Sequence, residues 1–285
     1  MVNNGQGERT VGTLLDDLIN RLDKNSDSPA LDAQEVLARV MDRPCSWIRA
    51  HPEVRLSPRR ARALETLAVR LESGEPLPYV LGRWEFFGLD FELTPDVLIP
   101  RPETELLVER AIAWLKAHPD RRHAADVGTG SGCIGIALAA NIPDLDVMAT
   151  DISPAAVSLA RRNAVRNGLV QRMEFHICDL FPPEAEFNLI VANLPYIPTK
   201  TLQNLSIFGR EPTMALDGGA DGLQFIRGLL TAAPDRLIPG GLLLMEIEAS
   251  EGPAALSLAY DGFAEAEIHL HKDLAGRDRI LEVQV

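Results

Sequence analysis

Asp126-Val127-Gly128-Thr129-Gly130-Ser131-Gly132 is the stretch whose reading decides the fold. Before it, Ala124 to Val127 is a short apolar run that reads as a buried strand. After it, Cys133-Ile134-Gly135-Ile136-Ala137-Leu138-Ala139 reads as the apolar start of a helix. The glycines therefore fill a tight strand-to-helix turn. Lacking Cβ atoms, Gly128, Gly130 and Gly132 accept positive φ and let a ligand approach the backbone. A second apolar strand, Val147 to Thr150, runs into Asp151. An acid at that strand end is placed to accept both ribose hydroxyls of an adenosine group.

On these residues alone the ligand stays open. Gly130, Gly132 and Gly135 also have the spacing of a dinucleotide fingerprint, with Asp151 about 20 residues beyond, so a nicotinamide enzyme competes. A turn that only packs helix on strand would use the same glycines.

Asn193-Leu194-Pro195-Tyr196 separates these possibilities further. Phe187-Asn188-Leu189-Ile190-Val191-Ala192 is a buried strand by its apolar run, and Asn193 stands where it ends, on the ligand side of a parallel sheet. The Asn193 side-chain carbonyl and the Leu194 backbone carbonyl supply two acceptors for the hydrogens of a planar NH2 group. Pro195 stiffens the turn by fixing φ, and Tyr196 offers a flat face for stacking. The plain alternative is a strand-end turn, which Asn and Pro also favour. Asp179, at the end of a third strand, could accept from an adenine amino group while Leu180 packs on the ring. By position alone Asp179 is equally a capping acid.

Together these motifs resemble the class I methyltransferases that use S-adenosylmethionine, in which Asp126-x-Gly128-x-Gly130-x-Gly132 is the first motif and the residue at Asp151 binds ribose. More narrowly, the chain resembles the HemK/PrmC family of protein-(glutamine-N5) methyltransferases acting on peptide chain release factors. Pro76-Leu77-Pro78-Tyr79-Val80-Leu81-Gly82, Trp84-Glu85-Phe86-Phe87-Gly88 and Leu98-Ile99-Pro100-Arg101-Pro102-Glu103-Thr104-Glu105 are similar to the segment that family places before its catalytic domain. Glu211-Pro212-x-x-Ala215-Leu216-x-Gly218-Gly219-x-Asp221-Gly222-Leu223 and Lys272-Asp273-Leu274-Ala275-Gly276-x-Asp278-Arg279 are similar to its later signatures. Two residues depart from the pattern. Leu194 stands where the family has Pro, which leaves the backbone carbonyl in place. Glu248 stands where the family usually has Gly after Glu246-Ile247, a departure expected not to touch the clamp.

The resemblance implies an α/β fold: a Rossmann-like seven-stranded methyltransferase sheet with helices on both faces, plus a small N-terminal helical domain. It implies S-adenosyl-L-methionine as cofactor, with S-adenosyl-L-homocysteine as product, held at Gly128, Thr129, Gly130, Ser131, Gly132, Asp151, Asp179, Leu180 and Asn193. Catalysis and substrate binding fall to Asn193, Leu194, Pro195 and Tyr196. The implied substrate is the glutamine of a Gly-Gly-Gln motif in peptide chain release factors.

The organisation of the 285 residues agrees with two domains. In the first part Leu14, Leu15, Leu18, Ile19 and Leu22 recur on one helical face, and Leu31, Val36, Leu37 and Val40 continue it. Ser57-Pro58 reads as an N-cap with proline at the first helical position, followed by a stripe of Leu64, Leu67 and Leu71. The expected boundaries are 1–81 for a helical substrate-docking domain, 82–94 for a hairpin linker and 95–285 for the methyltransferase domain. Strands are expected near 124–127, 147–151, 173–178, 187–193, 241–247, 263–269 and 279–285. By resemblance, the last two form a closing antiparallel hairpin.

Composition narrows the class. With 46% hydrophobic and 24% charged residues the chain can bury an ordinary core. Its three cysteines, Cys45, Cys133 and Cys178, show no paired spacing. No apolar run is long enough to span a bilayer, and the polar start from Met1 to Gly12 lacks a signal peptide's apolar stretch. A cytoplasmic protein without a membrane partner is therefore expected. The six histidines show no ligand spacing, so no metal is expected, and no Gly-x-Ser-x-Gly elbow suggests a serine hydrolase. A net charge of -13, from 28 basic and 41 acidic residues, repels polyanions, so no direct nucleic-acid partner is expected. That matters because adenine also presents a planar NH2 group, which the clamp alone does not distinguish from glutamine. An adenine-amino methyltransferase of nucleic acid and a noncatalytic nucleotide-binding module thus remain the alternatives.

Overall fold

A computed structural model describes residues 10–285, so the reading of the polar start lies, up to residue 9, outside the described residues. Two compact units part between Gly82 and Arg83. The first contains α1 (Val11–Leu22), α2 (Pro29–Met41), α3 (Cys45–Ala50), α4 (Pro58–Glu72) and α5 (Leu77–Leu81). Local chemistry sets their starts. Thr10 and Thr13 cap α1 reciprocally, each hydroxyl accepting the other's backbone N–H, and the Ser57 hydroxyl accepts from Arg60 N at 3.3 Å ahead of Pro58. The stripe of Leu18, Leu22, Val36, Leu37, Leu64 and Leu71 is buried, as its periodicity requires. Leu31 is exposed instead. The buried face of α2 is set by Ala33, Val36, Leu37 and Met41, and a residue two before Ala33 points the other way on a helix.

The second unit opens with a hairpin, β1 (Arg83–Phe86) and β2 (Leu89–Glu92). It is more than the linker expected at 82–94. Phe86 and Phe91 are buried in this unit's core beside Leu107 and Leu115. The chain continues through α6 (Thr104–Ala117), β3 (His123–Val127), α7 (Cys133–Asn141), β4 (Asp146–Asp151), α8 (Pro154–Arg166), β5 (Met173–Ile177) and β6 (Phe187–Ala192). It ends with α9 (Thr199–Leu202), α10 (Gln224–Ala232), β7 (Leu237–Glu246), α11 (Gly252–Gly262), β8 (Glu267–Lys272) and β9 (Asp278–Gln284).

Seven strands form one sheet in the order β5-β4-β3-β6-β7-β9-β8. The first five are parallel, and β9 is antiparallel to both β7 and β8. Successive side chains divide between two cores, as the period of two demands. Ala124, Leu189, Val191, Leu242 and Leu244 face the core that contains α6 and α7. Ala125, Val127, Ile190, Ala192, Leu243 and Met245 face the core that contains α10 and α11. The α/β class and the seven-stranded sheet expected from the resemblance are thus present. Two strand starts are misplaced in the sequence reading: β7 begins at Leu237, not 241, and β8 at Glu267, not 263. Phe263 is spent on the end of α11, where its N–H bonds to Ala259 O, and the alternating Ile268 and Leu270 supply the strand.

Because β3 is followed by β4 on one side and β6 lies on the other, the chain reverses its winding at β3, and a crevice opens there at the carboxyl ends of the strands. Asn163 on α8 fixes one wall of it. Its Oδ1 accepts from Glu92 N at 2.7 Å, and its Nδ2 donates to Glu92 O at 3.0 Å and Ser131 O at 2.8 Å. Asn163→Ala strands all three groups where Asn163 was fully buried. The substitution is expected to lower the urea unfolding free energy by about 3 kcal/mol, against less than about 1 kcal/mol if the bonds matter little.

Candidate active site

The glycine turn after β3 takes the conformation its composition allows. Gly128, Gly130 and Gly132 have φ of 72°, 55° and 85°. Their roles differ. Gly130 N donates to Asp151 Oδ2 at 2.9 Å. At Gly132 a Cβ would lie 2.9 Å from Ile136 Cδ1 and 3.1 Å from Ala160 Cβ, so this glycine serves packing between α7 and α8 and stays out of the cavity wall. At Gly128 a Cβ would meet Leu194 Cδ2 at 2.6 Å.

Asp126 holds the turn from beneath. Its Oδ2 accepts from Thr129 Oγ1 at 2.6 Å and from Gly135 N at 2.9 Å. Burial pushes this carboxyl up to about 6, against those two bonds. A side chain at Gly135 would come within 2.9 Å of the same oxygen, which explains the glycine inside α7. At the end of β4, Asp151 Oδ1 accepts from Ser153 N at 2.9 Å, so each carboxylate oxygen carries one backbone bond and retains a further lone pair. Burial raises the Asp151 carboxyl above its ordinary value.

These groups line a cavity of about 270 Å³. The structure brings Gly128, Thr129, Gly130, Ser131, Asp151, Asp179, Leu180, Asn193, Leu194 and Pro195 to its wall, with Leu98, Ile152, Met214 and Phe225 adding apolar surface. Asp179 lies two residues beyond the end of β5, exposed, and no described helix begins there for it to cap. Leu180 has φ of 55°, in a tight turn closed by Phe181 N on Asp179 O at 2.8 Å. Thr150 Oγ1 donates to Leu180 O at 2.7 Å and so holds that conformation in place.

Asn193 sits in a network the sequence did not disclose. Its Nδ2 donates to Thr104 Oγ1 at 3.1 Å and to Glu246 Oε2 at 3.0 Å. Thr104 Oγ1 donates to the same Glu246 oxygen at 2.7 Å, and Tyr196 OH donates to Glu246 Oε1 at 3.1 Å. Both amide hydrogens of Asn193 are thereby engaged, and its Oδ1 accepts from no described residue. Glu246 is 1% exposed and Thr104 2%. Burial raises the Glu246 carboxyl, while the Thr104 and Tyr196 donors favour its charged form. Burial and then the neighbouring Glu246 raise the Tyr196 hydroxyl.

Tyr196 does not line the cavity, contrary to the expected stacking face. Its hydroxyl is committed to Glu246, and Gly218 lies so close that a Cβ there would meet Tyr196 Cα at 2.7 Å. Glu248, the residue that departs from the family pattern, spends its carboxylate on Ser250 N, while Glu246, two residues before it, contacts Asn193 directly, which the sequence reading missed. The only available signal was register. Ala192 pairs with Met245, so the next residues, Asn193 and Glu246, are neighbours across β6 and β7. A second missed contact joins Arg101 to Glu211, whose other oxygen accepts from Ile99 N at 3.2 Å, tying the segment before α6 to the loop that carries Met214. Among the described residues, no group of three or more His, Cys, Asp or Glu side chains is placed to hold a metal ion, and no helix is long and apolar enough to cross a membrane.

Comparison with known proteins places this geometry in context. Residues 13–82 match the PrmC N-terminal domain and residues 103–207 the methyltransferase small domain. A release factor glutamine methyltransferase of Bordetella pertussis is 39% identical over 270 residues, covering 94% of this chain and 98% of that one. One from Moorella thermoacetica is 40% identical over 275 residues, covering 95% and 96%. Among solved structures, a release factor-specific protein-(glutamine-N5) methyltransferase from Alicyclobacillus acidocaldarius is 31% identical, covers 68% of this chain and 98% of that one, and has a TM-score of 0.43. Methanocaldococcus jannaschii Trm5, solved with adenosine, shares the fold at 18% identity and a TM-score of 0.50, over 71% of this chain and 54% of that one.

Behind Tyr196, Glu251 is buried with no hydrogen-bond partner among the described residues on either carboxylate oxygen, and Gly222 is packed so closely that a Cβ would lie 1.9 Å from Oε1. Burial, with Glu248 adding to it, pushes this carboxyl up to about 7. A carboxyl raised on folding contributes its full stability below its unfolded value and loses it as pH rises through about 7. Glu251→Gln is therefore expected to raise the melting temperature more at pH 8 than at pH 5. An equal shift at both pH values would show that Glu251 stays ionised throughout.

Proposed function

The chain belongs to the release factor glutamine methyltransferases, and on that premise we propose that it methylates the N5 side-chain nitrogen of the glutamine in the Gly-Gly-Gln motif of peptide chain release factors. The observation that carries the reading is the Asn193 amide. With both its hydrogens held by Thr104 and Glu246, it leaves a carbonyl oxygen for a planar NH2 group beside the glycine turn.

The cavity fits a cofactor built on adenosine. Gly130 leaves the backbone bare, Asp151 keeps two lone pairs for ribose hydroxyls, and Leu180, Ile152 and Phe225 offer apolar surface to a base. S-adenosylmethionine supplies a methyl group on a cationic sulfonium. Asp179 is the acceptor for the adenine amino group.

An amide nitrogen is a poor nucleophile because its lone pair is delocalised into the carbonyl. Asn193 Oδ1 and the Leu194 carbonyl accept its two hydrogens and hold the lone pair toward the methyl donor. These acceptors strengthen as the nitrogen gains positive charge, so they favour the transition state over the ground state. Orientation of this kind can be worth about 7 to 11 kcal/mol. Leu194 in place of proline is compatible with this role, since the acceptor is a backbone oxygen and the side chain packs over Gly128 and into the core of Leu223 and Ile226. The helices of the first unit recognise the release factor, a role separate from the chemistry.

Asn193→Ala is expected to keep cofactor affinity and lose at least about 100-fold in turnover on a release factor. Turnover near the parent rate would leave the strand-end turn as the better account of Asn193. Asp151→Ala is expected to weaken binding of S-adenosylhomocysteine roughly 10 to 150-fold by calorimetry, the effect of losing about 1.5 to 3 kcal/mol of charge-assisted hydrogen bonding. An unchanged affinity in the folded variant would remove Asp151 from the site.

A further inference from the structure

Glu246 is a buried carboxylate with no ion-pair partner among the described residues. Its three bonds come from the neutral donors Thr104, Asn193 and Tyr196. Leaving a carboxylate in such a place is costly, and apolar side chains would fill the same space more favourably. Two of the donors meet at Oε2, where Thr104 and Asn193 also bond to each other at 3.1 Å. This closed triangle fixes which end of the Asn193 amide faces inward.

That choice matters because an amide is almost symmetric in shape. Rotated by half a turn about its last torsion, Asn193 would present NH2 to the substrate's NH2 and repel it. In such an arrangement its Oδ1 would face the Glu246 carboxylate, acceptor against acceptor. Thr104 blocks the alternative as well, because its hydroxyl hydrogen is already given to Glu246 and only a lone pair remains for Asn193. The negative charge behind the amide also polarises it, making Oδ1 a stronger acceptor at the far end of the hydrogen-bonded chain.

We propose that Thr104 and Glu246 are positioning residues for methyl transfer, which lock the Asn193 amide with its carbonyl toward the substrate and strengthen that carbonyl as an acceptor. The inference rests on the reading of Asn193 given above and assigns a cause to its orientation. Glu246 lies behind the cavity wall, and Thr104, which reaches that wall, gives its hydroxyl hydrogen to Glu246. Their effect passes through Asn193.

The test uses the full chain, S-adenosylmethionine and a purified release factor, with Thr104→Val, Thr104→Ser and Glu246→Gln made in the parent and in Asn193→Ala. Thr104→Val and Glu246→Gln are expected to lose at least about 30-fold in kcat. KM for the release factor and affinity for S-adenosylhomocysteine should stay within about 3-fold, and Thr104→Ser, which keeps the hydroxyl, should retain kcat within about 3-fold. In the Asn193→Ala background neither substitution should remove more than about a further 2-fold, because the residue it acts through is gone. Thr104→Val is nearly isosteric and carries the test if Glu246→Gln does not fold. Parent-like kcat in Thr104→Val would overturn the proposal, as would a loss shared by Thr104→Ser, a matching loss of cofactor affinity, or a full additional loss in the Asn193→Ala background. Parent rates in Asn193→Ala itself would overturn the reading of Asn193 and the proposal with it.

Discussion

The parallel pairing of β3 with β6, which sets Val127 opposite Ala192, is the contact on which the site depends. Each strand is followed at once by a functional turn, Gly128 after one and Asn193 after the other. Hydrogen-bond register therefore brings together groups that are far apart in the chain. Pairing of β4 on the far side of β3 adds Asp151 by the same rule, with Val127 opposite Thr150. Pairing of β7 with β6 adds Glu246. A one-residue slip in any of these ladders would turn the adjoining side chain to the other face of the sheet.

What could be read in the sequence was what local chemistry decides. The glycine turn announced itself because only glycine takes its three positive φ values cheaply, and Asp151 because acids at that strand end have a recognisable spacing. The strands β3, β4 and β6 were visible as apolar runs, and the helical stripe of Leu18, Leu22, Leu64 and Leu71 as a period near 3.6. Leu31 was misjudged because hydrophobicity does not report angle. The start of β8 was misjudged because Phe263 is apolar whether it ends a helix or begins a strand.

Glu246 and Thr104 were illegible for a different reason. A glutamate at the end of an apolar strand carries no pattern of its own, and Thr104 looks like an ordinary first residue of α6. Their meaning lies in which strands are neighbours and in how the preceding segment enters α6, both set by tertiary structure. Tyr196 shows the converse. Its aromatic ring suggested a stacking platform, yet its hydroxyl is drawn to Glu246 and away from the cavity wall. Buried polar groups in this unit thus fall into two kinds. Asp126 and Asn163 fasten the glycine turn to α7 and α8, while Glu246 fastens the amide that faces the cavity.

The central claim is that the glutamine side-chain nitrogen of a release factor is the methyl acceptor. Its most direct test is fragmentation mass spectrometry of a release factor after incubation with the purified chain and S-adenosylmethionine carrying a deuterated methyl group. The account requires one labelled methyl, located on the side-chain nitrogen of the Gly-Gly-Gln glutamine and absent when that glutamine is replaced by glutamate. A label elsewhere on the release factor, or an unlabelled release factor alongside labelled adenine in added nucleic acid, would contradict it.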